Sequence, residues 1–295
     1  MIERFCIFVG MAVLSTVIGG CGEIRRVEAL NAVAAGLQNM ADGEHWRAQE
    51  KFDEAIRTDP QCGQAFYRKG MLQLQVNHDA QSALPALARA EELMPSDADV
   101  LYQHAVALEA SGKAEAAADR FAKVLSINPH HAGALYRVGV ALERQGKPLD
   151  AIGSYEKSIR ANAHLAPAYQ ALGNLYARYG RFDEAVAVFR NGIENNPGSS
   201  LLLAAAGTVA YDRGDVDAAI SSLSQAVRLA DAPLSAAYNL GAAYARRYER
   251  SGVDADRNEA STWLRRSLSA CDPAKERARC ETTMLQVQQL EAATR

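Results

Sequence analysis

Residues 166–197 read APAYQALGNLYARYGRFDEAVAVFRNGIENNP, and this stretch decides the fold class. In its first half, Leu172 and Tyr176 are four residues apart, so a helix would place them on one face. In its second half, Ala185 and Phe189 show the same spacing. The stretch is therefore predicted to form two helices joined by a tight turn.

The same pattern returns along the chain at an interval of 34 residues, with one slip to 35. A small residue holds one register: Gly36, Gly70, Ala105, Gly139, Gly173, Gly207 and Gly241. A bulky apolar residue holds another: Phe52, Leu87, Phe121, Tyr155, Phe189 and Leu223. Because a small residue lets two helices approach closely, we expect the bulky side chain to fill the space opposite it. The turns are predicted at Gly43, Asn77, Gly112, Gly146, Gly180 and Gly214, since Gly and Asn enter the left-handed conformation at least cost.

This pattern resembles the tetratricopeptide repeat (TPR) family, whose repeat has this length. The fifth repeat carries nearly the whole family motif: Tyr169, Leu172, Gly173, Tyr176, Ala185, Phe189 and Pro197. The resemblance covers about residues 28–272 in seven repeats. It implies an all-α TPR solenoid, a right-handed superhelix of helix-turn-helix hairpins, because one hairpin cannot bury its apolar face alone.

The C-terminal end departs from the regular pattern in two ways. In the seventh repeat, Leu264 comes about seven residues late, so a charged insertion at about 246–258 lengthens either the turn or the helices. Residues 273–295 are predicted to hold a capping helix, with Cys280, Met284 and Val287 facing the last repeat.

The N-terminus differs in character from the repeats. Residues 5–18 are an apolar run, which is shorter than the roughly 20 residues that span a bilayer. The run ends in Ile18-Gly19-Gly20-Cys21, which resembles a bacterial lipobox. The resemblance implies a signal peptide over 1–20, lipid on Cys21, a short tether over 21–27, and attachment to the outer membrane facing the periplasm. The alternatives are an uncleaved membrane anchor with a chance cysteine, and a cytosolic TPR adaptor with a misread start.

Export would give two further cysteines a role. Cys271 and Cys280 flank the start of the last helix, where an oxidising compartment permits a disulfide. The alternative is that both are small apolar residues packed under the capping helix. Cys62 is predicted to be an ordinary loop residue.

In the TPR family, the first helix of each repeat lines a concave groove. By this resemblance, the groove residues here are Leu37, Met40, Tyr67, Met71, Leu74, Tyr102, Val106, Tyr136, Val140, Asn174 and Arg178. Tyr67, Tyr102 and Tyr136 would form a ladder that offers apolar area and hydroxyl groups to a bound segment. The alternative is that these tyrosines only fill contacts between helices.

Several functions are disfavoured by the sequence. It has no phosphate-binding loop and no catalytic motif, so no enzyme activity, cofactor or small-molecule substrate is expected. His130 and His131 lack further ligands for a metal, and a net charge of −3 disfavours nucleic acid. Trp46 and Trp263 are expected in the core.

The sequence therefore predicts a lipid-anchored scaffold that binds protein partners through its groove and contacts the membrane through its lipid. Similar TPR lipoproteins help assemble outer-membrane machines, including the secretins of type IV and Tad pili. Adaptors for cell-wall hydrolases, proteases or exopolysaccharide export are the alternatives.

Overall fold

The computed structural model describes residues 20–292, which form fifteen α-helices and no strand. They divide into two compact units, an N-terminal unit ending at Ile127 and a C-terminal unit starting at Asn128. The predicted fold class, an all-α TPR solenoid, is confirmed. Residues 1–19 of the predicted signal peptide lie outside the described residues. From residue 20 to residue 292, no helix has the length and apolar character needed to cross a membrane.

The N-terminal unit consists of three helical hairpins. Its helices are α1 (Gly20–Ala41), α2 (His45–Thr58), α3 (Gly63–Gln75), α4 (Ala80–Leu93), α5 (Ala98–Ala110) and α6 (Ala114–Ile127). Residues 21–27, predicted to be a tether, are part of α1. Cys62 lies in the loop between α2 and α3 and is a free cysteine, as predicted, but it is buried in the same core cluster as Phe52.

The C-terminal unit consists of four hairpins and one more helix. Its helices are α7 (Ala132–Arg144), α8 (Pro148–Ala161), α9 (Ala166–Arg178), α10 (Phe182–Asn195), α11 (Ser200–Arg213), α12 (Val216–Ala226), α13 (Leu234–Ser251), α14 (Asp254–Ser269) and α15 (Pro273–Ala292). The prediction of seven hairpins followed by a final helix is therefore confirmed.

The small and bulky registers meet inside each hairpin. A Cβ atom added to Gly173 would lie 2.5 Å from Cζ of Phe189, and one added to Gly207 would lie 2.5 Å from Cγ of Leu223. The seventh hairpin makes the same contact between Gly241 and Leu264, at 2.7 Å. The predicted close approach is confirmed, since these glycines leave room only for the opposing side chain.

The turn glycines behave as predicted, with one exception. Gly43, Gly112, Gly146, Gly180 and Gly214 all have positive φ. In the second hairpin the left-handed residue is His78, with φ 52°, so the prediction of Asn77 was wrong. The turn from Gln75 to Ala80 has one residue more than the turn from Ala110 to Ala114. That extra residue accounts for the single slip of the repeat to 35.

The insertion in the seventh hairpin lengthens its helices. Helices α13 and α14 are joined by only two residues, and Gly252 has a φ of 68°. The guanidinium of Arg247 binds the nearly buried carboxylate of Asp256 at 2.6 Å and that of Asp217 in the preceding hairpin at 3.0 Å. The charged insertion thus carries an ion-pair network between two hairpins.

The last helix, α15, packs on α14 through one face, as predicted. Cys280, Thr283 and Val287 are buried, whereas Met284 is 48% exposed, so its predicted inward position was wrong. Thr283 can be buried because its hydroxyl donates to the carbonyl oxygen of Arg279 at 2.8 Å. Cys271 and Cys280 are joined by a disulfide whose Cα atoms are 6.0 Å apart.

The two tryptophans differ from their predicted placement. Trp46 lies at the start of α2 and is 67% exposed, with the guanidinium of Arg47 5.0 Å from its ring. Trp263 is partly buried against the core formed by α11, α12 and α13. Core placement was therefore wrong for Trp46.

A mostly buried carboxylate joins the second and third hairpins. Glu91 of α4 binds Nδ1 of the buried His104 of α5 at 2.5 Å, and Arg120 and Lys123 of α6 lie 3.4 and 3.5 Å from its oxygens. Burial opposes ionisation of Glu91, but the hydrogen bond from His104 and the nearby cations outweigh it, so its pKa is lowered. This cluster favours an ionised Glu91.

Candidate partner-binding surfaces

The predicted groove residues of the N-terminal unit lie on the first helices of its three hairpins. Leu37 is exposed, whereas the other six are partly buried: Met40, Tyr67, Met71, Leu74, Tyr102 and Val106. Met40 packs against the core around Phe52, and the ring of Tyr102 is 5.8 Å from that of Phe121. These side chains therefore support their own hairpins while keeping part of their surface accessible.

Tyr67 belongs to the N-terminal unit and Tyr136 to the C-terminal unit. The guanidinium of Arg68 lies 5.3 Å from the ring of Tyr67, and burial raises the pKa of the Tyr67 hydroxyl. The ring of Tyr136 lies 6.0 Å from that of Tyr155 in the second helix of its own hairpin.

Three predicted residues of the C-terminal unit line one cavity. Val140, Asn174 and Arg178 surround a space of about 340 Å³ between α7 and α9. Asn174 and Arg178 are exposed, and Val140 is partly buried. The structure thus brings together residues that are 34 to 38 positions apart in the sequence.

The same cavity contains residues that the sequence analysis missed. Tyr155 is fully buried, and its hydroxyl donates to Oε2 of Glu143 at 2.9 Å. The other oxygen of Glu143 accepts from Arg178 of the next hairpin. A signal for Glu143 was available, because it follows Val140 by three residues and so shares its helix face.

Burial, and then the hydrogen bond to the Glu143 carboxylate, raises the pKa of Tyr155. The tyrosine therefore stays protonated and holds Glu143 in place. Glu143 in turn orients the exposed guanidinium of Arg178. This geometry presents a fixed cation beside the amide of Asn174, which suits hydrogen bonding to the backbone or carboxylates of a bound polypeptide.

Polar residues on the first helices α11 and α13 also connect neighbouring hairpins. The amide of Asn239 donates to the hydroxyl of Thr208 at 2.8 Å, and Arg246 donates to the carbonyl oxygen of Tyr211 at 3.1 Å. His131 accepts a hydrogen bond from the backbone of Ala134, so it caps α7. These groups have structural partners within the C-terminal unit.

Tandem helical hairpins with accessible first-helix surfaces define a class of protein-interaction scaffolds. Tetratricopeptide repeat models match residues 33–99, 102–166 and 204–256, and a second such model matches 166–209. The chain belongs to the tetratricopeptide repeat family. Proteins of this family generally bind protein partners and are non-catalytic.

Known structures with the same fold are distant in sequence. A tetratricopeptide repeat protein from Parabacteroides merdae is 17% identical, with a TM-score of 0.67 over 88% of this chain and 99% of that one. PilF of Pseudomonas aeruginosa is 19% identical, with a TM-score of 0.60 over 71% and 95% of the two chains. PilW, a widely conserved type IV pilus biogenesis factor, is 19% identical, with a TM-score of 0.58 over 67% and 91%. A sequence search among curated proteins finds no significant match.

Proposed function

We propose that this protein is a non-enzymatic, lipid-anchored TPR scaffold of the bacterial outer membrane that faces the periplasm. It binds protein partners through its first-helix surfaces and helps assemble an outer-membrane complex, for which a type IV or Tad pilus secretin is the candidate. The observation that carries the proposal is the lipobox-like Ile18-Gly19-Gly20-Cys21 at the start of an array of helical hairpins.

The position of α1 supports the anchoring part of the proposal. This helix starts at Gly20, and Arg25 and Arg26 lie in its first turns. A lipid on Cys21 would hold these guanidinium groups near anionic headgroups, where each contributes about 1 kcal/mol to membrane binding. More than one acyl chain is needed for stable attachment, at about 0.8 kcal/mol for each buried methylene.

The fold likeness to PilF and PilW supports the pilus part of the proposal. Both are under 25% identical to this chain, so the likeness concerns the fold. The link to pilus biogenesis comes from PilW, which is a type IV pilus biogenesis factor. In the C-terminal unit, Arg178, which is held by Glu143, and the exposed Asn174 offer a site for a polar segment of the pore subunit. In the N-terminal unit, Leu37 offers a separate exposed apolar contact.

Metabolic labelling with a palmitate analogue tests the anchor. Wild-type protein should be labelled, Cys21→Ser should lose the label, and Cys6→Ser should keep it because that residue leaves with the signal peptide. An equal label on Cys21→Ser and wild type would rule out lipidation at this cysteine.

Deletion of the protein in its native cell tests the assembly role. The secretin should remain monomeric or misplaced, and re-expression should restore its multimers. Asn174→Ala should restore them poorly, whereas Lys157→Ala, an exposed change on the second helix α8, should restore them fully. Normal secretin multimers in the deletion strain would reject the pilus assignment.

A further inference from the structure

A second surface of the C-terminal unit contains an apolar cavity of about 280 Å³ between α10, α11 and α12. None of the predicted groove residues lines it. Its walls include Phe189 and Ile193 of α10, Ala206 and Ala210 of α11, and Ala218 of α12. Such a volume is near the lower end of the range for ligand pockets in proteins.

The cavity exists because α11 lacks two large side chains that the neighbouring first helices have. Two positions differ between these helices. The residue just before the register glycine is Leu172 in α9, Ala206 in α11 and Leu240 in α13. The third residue after that glycine is Tyr176 in α9, Ala210 in α11 and Tyr244 in α13. The sixth hairpin therefore has alanines where the fifth and seventh have a leucine and a tyrosine.

The fifth hairpin shows what fills this space when the tyrosine is present. Tyr176 lines a smaller crevice of about 210 Å³ together with Ile152, and the guanidinium of Arg181 lies 4.6 Å from its ring. Ile152 is one repeat before Val186, which lines the larger cavity. The two sites are thus equivalent, and the larger one lacks its aromatic ring.

We propose that this cavity binds an aromatic side chain of a protein partner, which takes the place of the missing tyrosine ring. The walls of the cavity are mainly aliphatic and aromatic. Some buried side-chain atoms in the described part of the chain lack a hydrogen bond, but none of them belongs to a residue that lines this cavity. A polar ligand would leave its own groups unpaired there, whereas an aromatic ring gains burial at no such cost.

The charges around the cavity favour an anchor carried by a polypeptide. Four exposed charged residues flank the apolar walls, two basic and two acidic: Arg190, Arg213, Glu194 and Asp215. An apolar centre surrounded by a polar rim is the usual form of a protein-protein anchor site. This site depends on neither the lipid anchor nor the secretin.

The test uses the double variant Ala206→Leu/Ala210→Tyr, which restores the residues of the neighbouring hairpins and fills the cavity. A displayed peptide library is selected on the full chain, and the affinity of each selected peptide is then measured for the wild type and for the filled variant. The control variant is Ala161→Tyr, which adds a tyrosine at an exposed position outside the cavity. Circular dichroism and Tm show whether each variant is folded.

Selected peptides should share one aromatic residue and lose at least about tenfold in affinity for the filled variant, as expected when one anchor is lost. They should bind Ala161→Tyr as they bind wild type. Equal affinity for the filled variant would overturn the proposal. So would binding of p-cresol, a tyrosine side-chain analogue, without selection of any peptide, since the site would then serve small molecules.

A photo-crosslinking experiment keeps the proposal testable if the filled variant does not fold. The shared aromatic residue of a selected peptide is replaced by p-benzoylphenylalanine, and the peptide is irradiated with the wild-type chain. Crosslinks within residues 182–226 are expected, because this range carries α10, α11 and α12. Crosslinks confined to other helices would overturn the assignment.

Discussion

Replacement of Gly173 by alanine should test the close contact that defines each hairpin. The new Cβ would lie 2.5, 2.6 and 2.9 Å from three ring atoms of Phe189. Favourable carbon-carbon contacts need about 3.5–4.0 Å. Since Phe189 is 1% exposed, its ring cannot move into solvent, and the two helices must separate or the ring must leave its rotamer.

Two opposing terms determine the size of this effect. Alanine in place of glycine gains about 1 kcal/mol in helix propensity. Overpacking a well-filled core costs about 1–3 kcal/mol. The net loss of unfolding free energy should therefore lie between about 0 and 2 kcal/mol. The third hairpin supports a limited cost, because it carries Ala105 in the register that the other hairpins reserve for glycine.

Gly153→Ala is the matched control for this prediction. Gly153 lies inside α8, and a Cβ there would have no neighbouring atom within 4 Å. It should gain the same propensity of about 1 kcal/mol without a steric cost. The two variants should thus differ by about 1–3 kcal/mol, which isolates the packing cost.

Urea unfolding followed by far-UV circular dichroism measures both variants. The midpoint should rise for Gly153→Ala and lie clearly lower for Gly173→Ala. In the background of Phe189→Ala, Gly173→Ala should carry no steric penalty, because the ring atoms that its Cβ would meet are absent. Equal midpoint shifts for the two alanine variants would refute the steric argument.

Three further predictions concern polar groups and the disulfide. Tyr155→Phe should lower the free energy of unfolding by about 1.5–3 kcal/mol, because the Glu143 carboxylate loses a hydrogen-bond donor. The folded state raises the pKa of Tyr155, so wild-type stability should fall as the pH rises above about 10, the ordinary tyrosine pKa. The variant should lose less stability over this range. Glu91→Gln should weaken the hydrogen bond to His104. It should also make stability less dependent on pH in acid, because a carboxylate whose pKa is lowered by folding gives stability that is lost as the pH falls below about 4.3. Urea midpoints measured over a pH series test the tyrosine and the glutamate predictions. Cys271→Ser should cost about 2–3 kcal/mol and speed amide exchange chiefly in α15, and unchanged exchange there would contradict a stabilising disulfide.

The hairpins were predictable because their information is local and repeated. Gly173 and Phe189 recur in register with equivalents along the chain, and each pair closes a contact within 16 to 23 residues. Turn identity was less certain where the turn grew by one residue, because His78 rather than Asn77 then occupies the left-handed position. The slip of the repeat marked this turn but did not show which residue it affected.

Side-chain exposure at the edges of the array was harder to predict. Trp46 was assigned to the core by residue type and Met284 by its helical spacing from Cys280 and Val287, yet both are largely exposed to solvent. Thr283 takes the buried position beside Met284 because its hydroxyl is satisfied within its own helix. Residue type alone cannot show where the last neighbouring helix ends and solvent begins.

The candidate surfaces were predictable only in part. Family resemblance gave Val140 and Arg178, which meet in one cavity, but the link through Glu143 depends on the distance between two hairpins. The second cavity had a sequence signal in Ala206 and Ala210, which depart from the family motif. A cavity of this kind follows from small residues at positions where other repeats have large ones, so it is visible in the sequence only when the repeats are aligned with one another.

The chain of contacts from Tyr155 through Glu143 to Arg178 also limits how interchangeable the repeats are. Most hairpin contacts use apolar residues that any neighbouring copy could supply. This one needs a hydroxyl and a carboxylate in the fourth hairpin and a guanidinium in the fifth. A chimaera that duplicated, deleted or shuffled either hairpin alone would strand an acid or a base at the new junction, so these two hairpins should be inherited and transplanted as a pair.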